Sequence, residues 1–242
     1  MKTLVVYIFH QYNKRVEYFI NNAIFKDNDI NFSIVCNNKN LTFNYPDYVD
    51  VFYRDNKGMD FGAWSEYILK DNKYKNYDNF IFVNSSVIGP YLKNKVKWTD
   101  IYLNGLKDNV KLFGSTINCI DDPYQAHVQS YIFSMNVNTL QYLIDCNIFS
   151  LEYEKTKIDV VFNKEVLMSR KIIENGWNIG CLLNHYKNVD FTFNEKKPDE
   201  FKFHFFKNDL MNERSYNTFW KEYDLVFIKG NRIKFLELTS ID

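Results

Sequence analysis

The sequence lacks a net charge. Its 30 lysine and arginine residues are balanced by 30 aspartate and glutamate residues, and the isoelectric point is about 6.9. Proteins that attract nucleic acid or anionic lipid through charge carry an excess of basic residues, usually on one face. The balance excludes a histone-like or polybasic role and places nucleic-acid binding last among the function classes.

Cysteine is also scarce. The four cysteines are far apart in sequence, at Cys36, Cys119, Cys146 and Cys181. No C-x-x-C spacing and no cluster of cysteine with histidine suits a zinc site. We therefore predict free thiols, most of them buried, in a protein that works under reducing conditions.

Long apolar runs are missing as well. The N-terminal run Leu4–Phe9 ends at His10 and is too short for a signal sequence or a membrane span. No later segment reaches the ~18 apolar residues that a transmembrane helix requires. We expect a soluble, cytoplasmic protein, and contact with a membrane through a partner or a lipid substrate stays open.

Glycine and proline, which break helices and strands, number only 8 and 4 in 242 residues. In contrast, 46% of the residues are hydrophobic and 18% are aromatic. This composition excludes a disordered chain. The length allows one domain with a large core.

Apolar strands alternate with amphipathic helices in the first half of the chain. Leu4–Phe9 is apolar throughout, which is typical of a strand buried on both faces of a parallel sheet. Further strands are predicted at 31–36, 48–53 and 79–83, and helices at 15–25 and 62–70. This order predicts an α/β fold with a mainly parallel central sheet flanked by helices, whose ligands bind beyond the carboxyl ends of the strands.

The second half is less regular. We predict strands at 111–115 and 130–135, helices at 137–146 and 160–175, a helix stop at Gly176 and a polar loop at 194–199. A last segment, 216–235, is rich in aromatic rings. No clear linker is present, so we expect a single domain over residues 1–242 with an irregular C-terminal part.

Polar residues follow two of the predicted strands. The segment Arg54–Gly62 joins a strand to a helix, where backbone N–H groups favour an anion. A capped turn with Asp60 as the N-cap is the alternative. Asn84, Ser85 and Ser86 end the most apolar strand, where they either close a turn or face a ligand. Because the ends of parallel strands meet at one edge, the two segments together favour a binding site.

His127, Gln129 and Tyr131 alternate in sequence and would share one face of a strand. Three polar side chains in a row fit poorly in an apolar core. A single histidine in such a position is more often structural than functional. With Gln129 beside it near a cleft, we interpret His127 as a contact to substrate.

Glu165 lies on the predicted helix at 160–175 and shares a helical face with Ser169. On the residues alone, the default interpretation of Glu165 is a solvent-exposed ion pair with Lys164 or Arg170. Only a resemblance to a known family favours a catalytic role for this carboxylate.

Three motifs occur in the order and spacing of such a family. They are Asn56-x-Gly58-x-Asp60-Phe61-Gly62-Ala63-Trp64, Tyr77-Asp78-x-Phe80-Ile81-Phe82-Val83-Asn84-Ser85-Ser86-x-x-Gly89-Pro90 and His127-Val128-Gln129-Ser130-Tyr131. Weaker matches are Lys164-Glu165-x-x-x-Ser169 with Gly176, Phe219-Trp220-Lys221-Glu222 and Phe227-Ile228-Lys229. The sequence resembles, over nearly its whole length, the rhamnan-synthesis F family of glycosyltransferase-like proteins.

The resemblance implies a GT-A-like (Rossmann-like) fold and a glycosyltransferase in polysaccharide or glycoprotein glycan synthesis. The enzyme would move a sugar from a UDP-, GDP- or dTDP-sugar to a glycan or glycoconjugate acceptor, with inversion. Residues 1–110 would form the nucleotide-sugar-binding half and residues 111–242 the acceptor-binding half. The implied donor contacts are His10, Tyr12, Asn37, Asn56, Gly58, Asp60, Asn84, Ser85 and Ser86. The implied acceptor contacts are His127, Gln129 and Ser130.

The same resemblance makes Glu165 the base that takes the proton from the acceptor hydroxyl, with Asp60 as the alternative. At 84–86 the family commonly has Asn-Asp-Ser, where GT-A enzymes hold a metal ion, but this sequence has Asn-Ser-Ser. Mn²⁺ and Mg²⁺ prefer carboxylate oxygens, so metal dependence stays open. Either Asp60 or His204 supplies the missing charge, or lysine and arginine residues neutralise the leaving diphosphate.

The missing carboxylate at Ser85 permits a second interpretation, which is a catalytically silent nucleotide- or glycan-binding module of the same fold. Aromatic rings in or beside the motifs bear on both interpretations, because a flat ring can pack against a base or a sugar. The rings predicted to do so are Tyr12, Trp64, Tyr131 and Trp220.

Overall fold

A computed structural model describes residues 1–118, 126–192 and 221–230. Its strands are β1 (Thr3–Phe9), β2 (Ile30–Cys36), β3 (Asp50–Tyr53), β4 (Asn79–Asn84), β5 (Val87–Ile88), β6 (Val110–Gly114), β7 (Ile117–Asn118), β8 (His127–Val128), β9 (Ile132–Asn136), β10 (Asn178–Cys181) and β11 (Ile228–Lys229). Its α-helices are α1 (Lys14–Asn22), α2 (Met59–Leu69), α3 (Trp98–Asn104), α4 (Val137–Asp145), α5 (Lys157–Val160), α6 (Leu167–Glu174) and α7 (Glu222–Leu225). A π-helical segment, Val161–Val166, joins α5 to α6.

Within the described residues, seven strands form one sheet in the order β10-β6-β9-β4-β1-β2-β3. The neighbours β4-β1-β2-β3 are parallel to one another, as are β6 and β10. Only β9 runs antiparallel to its neighbours β4 and β6. The predicted α/β fold with a mainly parallel central sheet flanked by helices is therefore confirmed.

Both faces of the sheet are covered by helices. β1 is buried at all seven positions, and its alternate side chains enter two different apolar clusters. Val6 packs on the face covered by α2, which we call the α2 face, and Tyr7 packs on the face covered by α1 and α3, the α1 face. The continuous apolar run of β1 follows from this double burial.

Two helix starts have local causes. α1 begins where the side chain of Asn13 accepts hydrogen bonds from the backbone N–H groups of Arg15 and Val16. α2 begins after Gly58, whose φ of +67° is left-handed. The predicted helix at 62–70 thus starts three residues early, at Met59, and the alternative that Asp60 is the N-cap is wrong because Asp60 lies inside the first turn.

The second half differs from prediction in two places. The predicted helix at 160–175 divides into α5, the π-helical segment and α6, and ends before Gly176, whose φ is +75°. The predicted strand at 130–135 begins later, at Ile132, because 129–131 form a connection between β8 and β9. The loop predicted at 194–199 and most of the ring-rich segment 216–235 lie outside the described residues.

The carboxyl ends of β1, β2, β3, β4 and β6 lie along one side of the sheet, which we call the carboxyl edge. β9 runs the other way, so its first residue, Ile132, also lies there, opposite Val83 of β4. The edge therefore brings the ends of the predicted donor motifs next to the segment that precedes β9.

Of the predicted free thiols, Cys36 is free and buried, Cys146 is free and partly exposed, and Cys181 is buried. Cys119 lies outside the described residues. In the ranges that the structure describes, no helix is both long enough and apolar enough to cross a membrane.

Candidate functional site

A carboxylate and an amide meet at the end of β4. Asp60, in the first turn of α2, accepts a hydrogen bond at Oδ2 from Nδ2 of Asn84, at 2.8 Å. The Oδ1 atom of Asn84 accepts from the backbone N–H of Ser86 at 3.0 Å and from the hydroxyl of the same serine. Asn84 is therefore bonded on both sides of its amide, which orients it towards Asp60.

The second carboxylate comes from the π-helical segment. Oε1 of Glu165 accepts a hydrogen bond from the backbone N–H of Ser130 at 2.8 Å. The next carbonyl in the chain, that of Tyr131, accepts from the backbone N–H of Asn84 at 3.0 Å. Two successive residues thus connect Glu165 to the strand end that holds Asp60, so the structure brings both predicted catalytic residues to one place.

The environment of Asp60 changes its acidity. Burial raises the pKa of this carboxyl to about 6, against the opposing hydrogen bond from Asn84. The negative charge of Glu165 raises the pKa further, whereas the positive charges of Lys229 and Lys157 lower it. A carboxyl that titrates near neutral pH is suited to exchange a proton with a substrate.

The helix that carries Glu165 is held on two sides. Nζ of Lys164, which is buried, donates to the carbonyl of Asn147 at 2.6 Å. Oγ of Ser169 accepts from the backbone N–H of Val128 at 3.0 Å. In the part of the chain that the structure describes, Glu165 forms no ion pair. The default interpretation of Glu165 as one half of a surface ion pair is therefore wrong.

Arg54 is a central residue to which we assigned no role from the sequence. Its side chain is 2% exposed and donates three hydrogen bonds of 2.8 Å, to Oδ1 of Asn37, Oε2 of Glu66 and the carbonyl of Lys57. The hydroxyl of Tyr153 donates to the same Glu66 oxygen at 2.9 Å. These contacts tie the loop before α2 to the end of β2. An arginine directly after a strand was the available signal, but its partners are too distant in sequence to be recognised.

The two glycines of the first motif are required by close contacts. A Cβ atom on Gly58 would lie 2.7 Å from Cδ1 of Tyr153, and one on Gly62 would lie 2.6 Å from the carbonyl oxygen of Lys57. Real Cβ atoms essentially never come this close to another heavy atom. The motif therefore maintains the backbone approach that places Asp60 opposite Asn84.

The other predicted donor contacts at the carboxyl edge differ in their exposure to solvent. His10, Tyr12 and Asn56 are exposed, and Nδ1 of His10 lies 3.0 Å from the carbonyl oxygen of Asn37. Asn37 itself is buried beneath them and bonded to Arg54. Ser85 is partly exposed, and its carbonyl lies 3.4 Å from Nε of Arg15.

The predicted acceptor contacts are less accessible than expected. His127 is 3% exposed and pairs with Asn118 in the β7–β8 ladder. Gln129 is 8% exposed, and its Oε1 accepts from the hydroxyl of Thr116 at 2.8 Å. Only Ser130 is partly exposed. The expected polar face of one strand is wrong because 129–131 lie between two strands and the side chain of Gln129 bonds to Thr116.

Two of the four rings predicted to stack on substrate belong to the core. Trp64 is fully buried, packs edge-on against Phe82 and Phe133, and points its Nε1 at the carbonyl of Val6. Tyr131 is also buried. These two predictions are wrong, because each ring is buried in one of the two apolar clusters that cover the sheet. Tyr12 remains exposed, and Trp220 lies outside the described residues.

The end of β4 does not fit a divalent cation. Asn84 has both ends of its amide bonded to neighbours, and among the described residues Asp60 is the only carboxylate that contacts this amide. Within residues 1–118, 126–192 and 221–230, no three His, Cys, Asp or Glu side chains come together as metal ligands. Hard cations require several such oxygens. His204, the other predicted source of charge, lies outside the described residues.

Comparison with known proteins identifies the family. A search of curated proteins gives no significant match to the chain. A family model described as Rhamnan synthesis protein F matches residues 33–211, about three quarters of the chain. The match includes Asp60, Asn84 and Glu165, the residues that converge at the carboxyl edge. The suspected resemblance is confirmed, and the chain belongs to the rhamnan synthesis protein F family, a glycosyltransferase-like family.

Proposed function

We propose that this protein transfers a sugar from a nucleotide-sugar donor to a glycan or glycoconjugate acceptor, with inversion at the anomeric carbon. The family supports a transferase at a coarse level. The observation that carries the finer proposal is the convergence of Asp60 and Glu165 at the carboxyl edge through Asn84 and Ser130. Ligands of open α/β sheets bind at this edge.

The donor belongs to residues 1–110 in this proposal. The exposed side chains of His10, Tyr12 and Asn56 lie along the carboxyl ends of β1 and β3, and the ring of Tyr12 is available to stack on a nucleobase. Residues 111–242 supply Glu165 and the acceptor site. A UDP-, GDP- or dTDP-sugar is the donor class.

Glu165 is the base in this proposal. Its Oε1 atom already accepts from Ser130, whereas its Oε2 atom has no hydrogen-bond partner among the residues whose positions are described. The acceptor hydroxyl gives its proton to Oε2 as its oxygen bonds to the anomeric carbon. The bond between that carbon and the donor phosphate oxygen breaks, and its electron pair leaves with the diphosphate. A positioned base of this kind contributes typically 10²–10⁴-fold to the rate.

Replacing Glu165 by Gln tests this role. The amide keeps the size of the side chain and an oxygen for the N–H of Ser130 but cannot take a proton. We expect transfer to fall at least ~100-fold while donor affinity stays within about twofold. The matched control is Glu174→Gln. Glu174 is an exposed glutamate at the end of α6 that pairs with Lys171, and its variant should retain full activity. Full turnover by Glu165→Gln would remove Glu165 as the base.

A catalytically silent nucleotide- or glycan-binding module is the second candidate. The observation that favours it is Ser85, which stands where the family commonly has an acidic residue, together with the bonded amide of Asn84. Donor binding with neither transfer nor donor hydrolysis, across several acceptors and with added Mn²⁺, would support this module and contradict the transferase.

A further inference from the structure

Acidic side chains lie on one side of the end of β4 and a basic side chain lies on the other. The carboxylates of Asp60 and Glu165 approach Asn84 and the segment before β9, as described above. On the opposite side, Arg15 in the first turn of α1 has its Nε 3.4 Å from the carbonyl oxygen of Ser85. In the part of the chain that the structure describes, Nε is the only guanidinium nitrogen of Arg15 with a hydrogen bond. The N–H groups of its two Nη atoms can therefore donate to a ligand.

A second basic residue, Lys229, lies in a strand whose next residue packs against Arg15. Lys229 pairs with Val87 in the antiparallel β5–β11 ladder, and cross-strand partners place their side chains on the same face. Val87 packs in the same apolar cluster as Tyr7 and Val16. Lys229 therefore lies on the α1 face, as Arg15 does.

The backbone after Lys229 contacts both the serine segment and the stem of Arg15. The N–H of Gly230 donates to the carbonyl of Ser86 at 2.7 Å. A Cβ atom at Gly230 would lie 3.1 Å from Cδ of Arg15, so this backbone packs closely on the arginine stem. Arg15 and Lys229 thus flank Ser85 and Ser86. The positive charge of Lys229 also lowers the pKa of Asp60, which places the ammonium within electrostatic range of that carboxylate.

We propose that Arg15 and Lys229 bind the diphosphate of the nucleotide-sugar donor and neutralise it as it leaves, in place of a divalent cation. This inference rests on the proposed function and names the groups that complete its site. When the bond to the anomeric carbon breaks, its electron pair adds negative charge to the diphosphate, which fixed cations stabilise. A guanidinium can bind two phosphate oxygens at once. The misfit of Asp60 and Asn84 to a metal ion leaves this charge to be met by side chains.

The test measures binding of UDP, GDP and dTDP, and of the corresponding monophosphates, by titration calorimetry in EDTA and again with Mn²⁺. The variants are Arg15→Gln, Lys229→Gln and Arg15→Lys. Lys14→Gln is the matched control, because it removes a positive charge from the same turn of α1 at an exposed position. Circular dichroism and melting temperature establish that each variant is folded, and Lys229→Gln carries the test if Arg15→Gln does not fold.

The wild-type protein is expected to bind one of the diphosphates in EDTA. Its preference for that diphosphate over the monophosphate should fall at least ~10-fold in Arg15→Gln and in Lys229→Gln, because a hydrogen bond to a charged group is lost. Arg15→Lys should recover part of the preference, and Lys14→Gln should leave it unchanged.

Two results would overturn the inference alone. In one, a diphosphate binds but its preference over the monophosphate is the same in both glutamine variants. In the other, binding occurs with Mn²⁺ and disappears in EDTA. If none of the three diphosphates binds under either condition, the proposed function fails and this inference fails with it.

Discussion

At the scale of single residues, Asp60 has the most distinctive chemistry. Burial raises its pKa from 3.8 to about 6, so the native state binds this proton more tightly than the unfolded chain does. The contribution of Asp60 to stability is therefore fully present below the unfolded pKa, and it is lost as the pH rises through about 6. The site thus contains a group whose ionisation opposes folding at neutral pH.

Asp60→Asn should remove this pH dependence. The amide oxygen at position 60 can still accept from Asn84, so the fold is kept. Relative to wild type, the variant should become more stable as the pH is raised from about 4 to about 8, by up to ~3 kcal/mol for a pKa rise of about two units. Unfolding free energies from urea titrations at both pH values measure the difference. A difference that does not change with pH would show that Asp60 is not held in a charge-disfavouring environment.

Gly62 gives a second prediction at this scale. A methyl group there would overlap the carbonyl oxygen of Lys57 at 2.6 Å, and a backbone atom cannot move aside as a side chain can. Gly62→Ala should therefore destabilise the protein by roughly 1–3 kcal/mol, measured by urea unfolding. Truncating Tyr153 to Ala in the same chain should not restore stability, since the main overlap is with backbone. Recovery in the double variant would mean that the contact with Tyr153 controls this position.

At the scale of elements, the connection from β3 to α2 depends on buried Arg54. This arginine links the end of β2, through Asn37, to the middle of α2, through Glu66. A buried charge is costly unless it is paired and hydrogen-bonded. Here each of the three guanidinium nitrogens donates a hydrogen bond, and Glu66 supplies the opposite charge. The loop that leads to Asp60 is thus stabilised by the hydrogen bonds of a buried arginine beneath it.

Arg54→Leu should be strongly destabilising, because it leaves the amide oxygen of Asn37 without its donor and the carboxylate of Glu66 without its cation. The hydroxyl of Tyr153 remains as a donor to Glu66. We expect a loss of roughly 2–4 kcal/mol in the free energy of unfolding. The side chain of Glu66 is 35% exposed, so water can solvate its carboxylate and reduces the cost of removing its partner. Lys39→Ala, which breaks the exposed pair with Asp55, is the control and should cost less than ~1 kcal/mol. Equal losses in the two variants would contradict the role of Arg54.

The π-helical segment is the other element that matters to the site. An i→i+5 turn is rare and often occurs at functional positions. Here Lys164 bonds to Asn147 on one side, and Glu165 bonds to Ser130 on the other. The two adjacent side chains thus contact different segments of the chain, and the bond to Ser130 directs Glu165 to the carboxyl edge.

At the scale of the whole molecule, the parallel sheet is what assembles the site. Strand ends that are far apart in sequence, at Phe9, Cys36 and Asn84, become neighbours because β4, β1 and β2 run in the same direction. The antiparallel strand β9 adds Ser130 to the same edge. No single segment of the chain contains the site.

This explains how much could be predicted from sequence. Hydrophobic periodicity predicted the main strands and the edge to which their polar ends point, because these depend on local patterns. The bonds of Arg54, the π-helical turn and the hydrogen bond from Thr116 to Gln129 depend on contacts between distant segments, which no local pattern contains. The roles of the donor and acceptor residues remain predictions.

Binding of a nucleotide sugar at the carboxyl edge is tested by a thermal-shift screen. UDP, GDP and dTDP, their sugar conjugates and the free nucleosides are each added to the wild-type protein. A ligand that binds only the native state stabilises it by about 2.7 kcal/mol at 100 times its dissociation constant. We expect one diphosphate and its sugar conjugate to raise the melting temperature, whereas the nucleosides should do so much less. A melting temperature unchanged by all of these compounds, with and without Mn²⁺, would contradict this expectation.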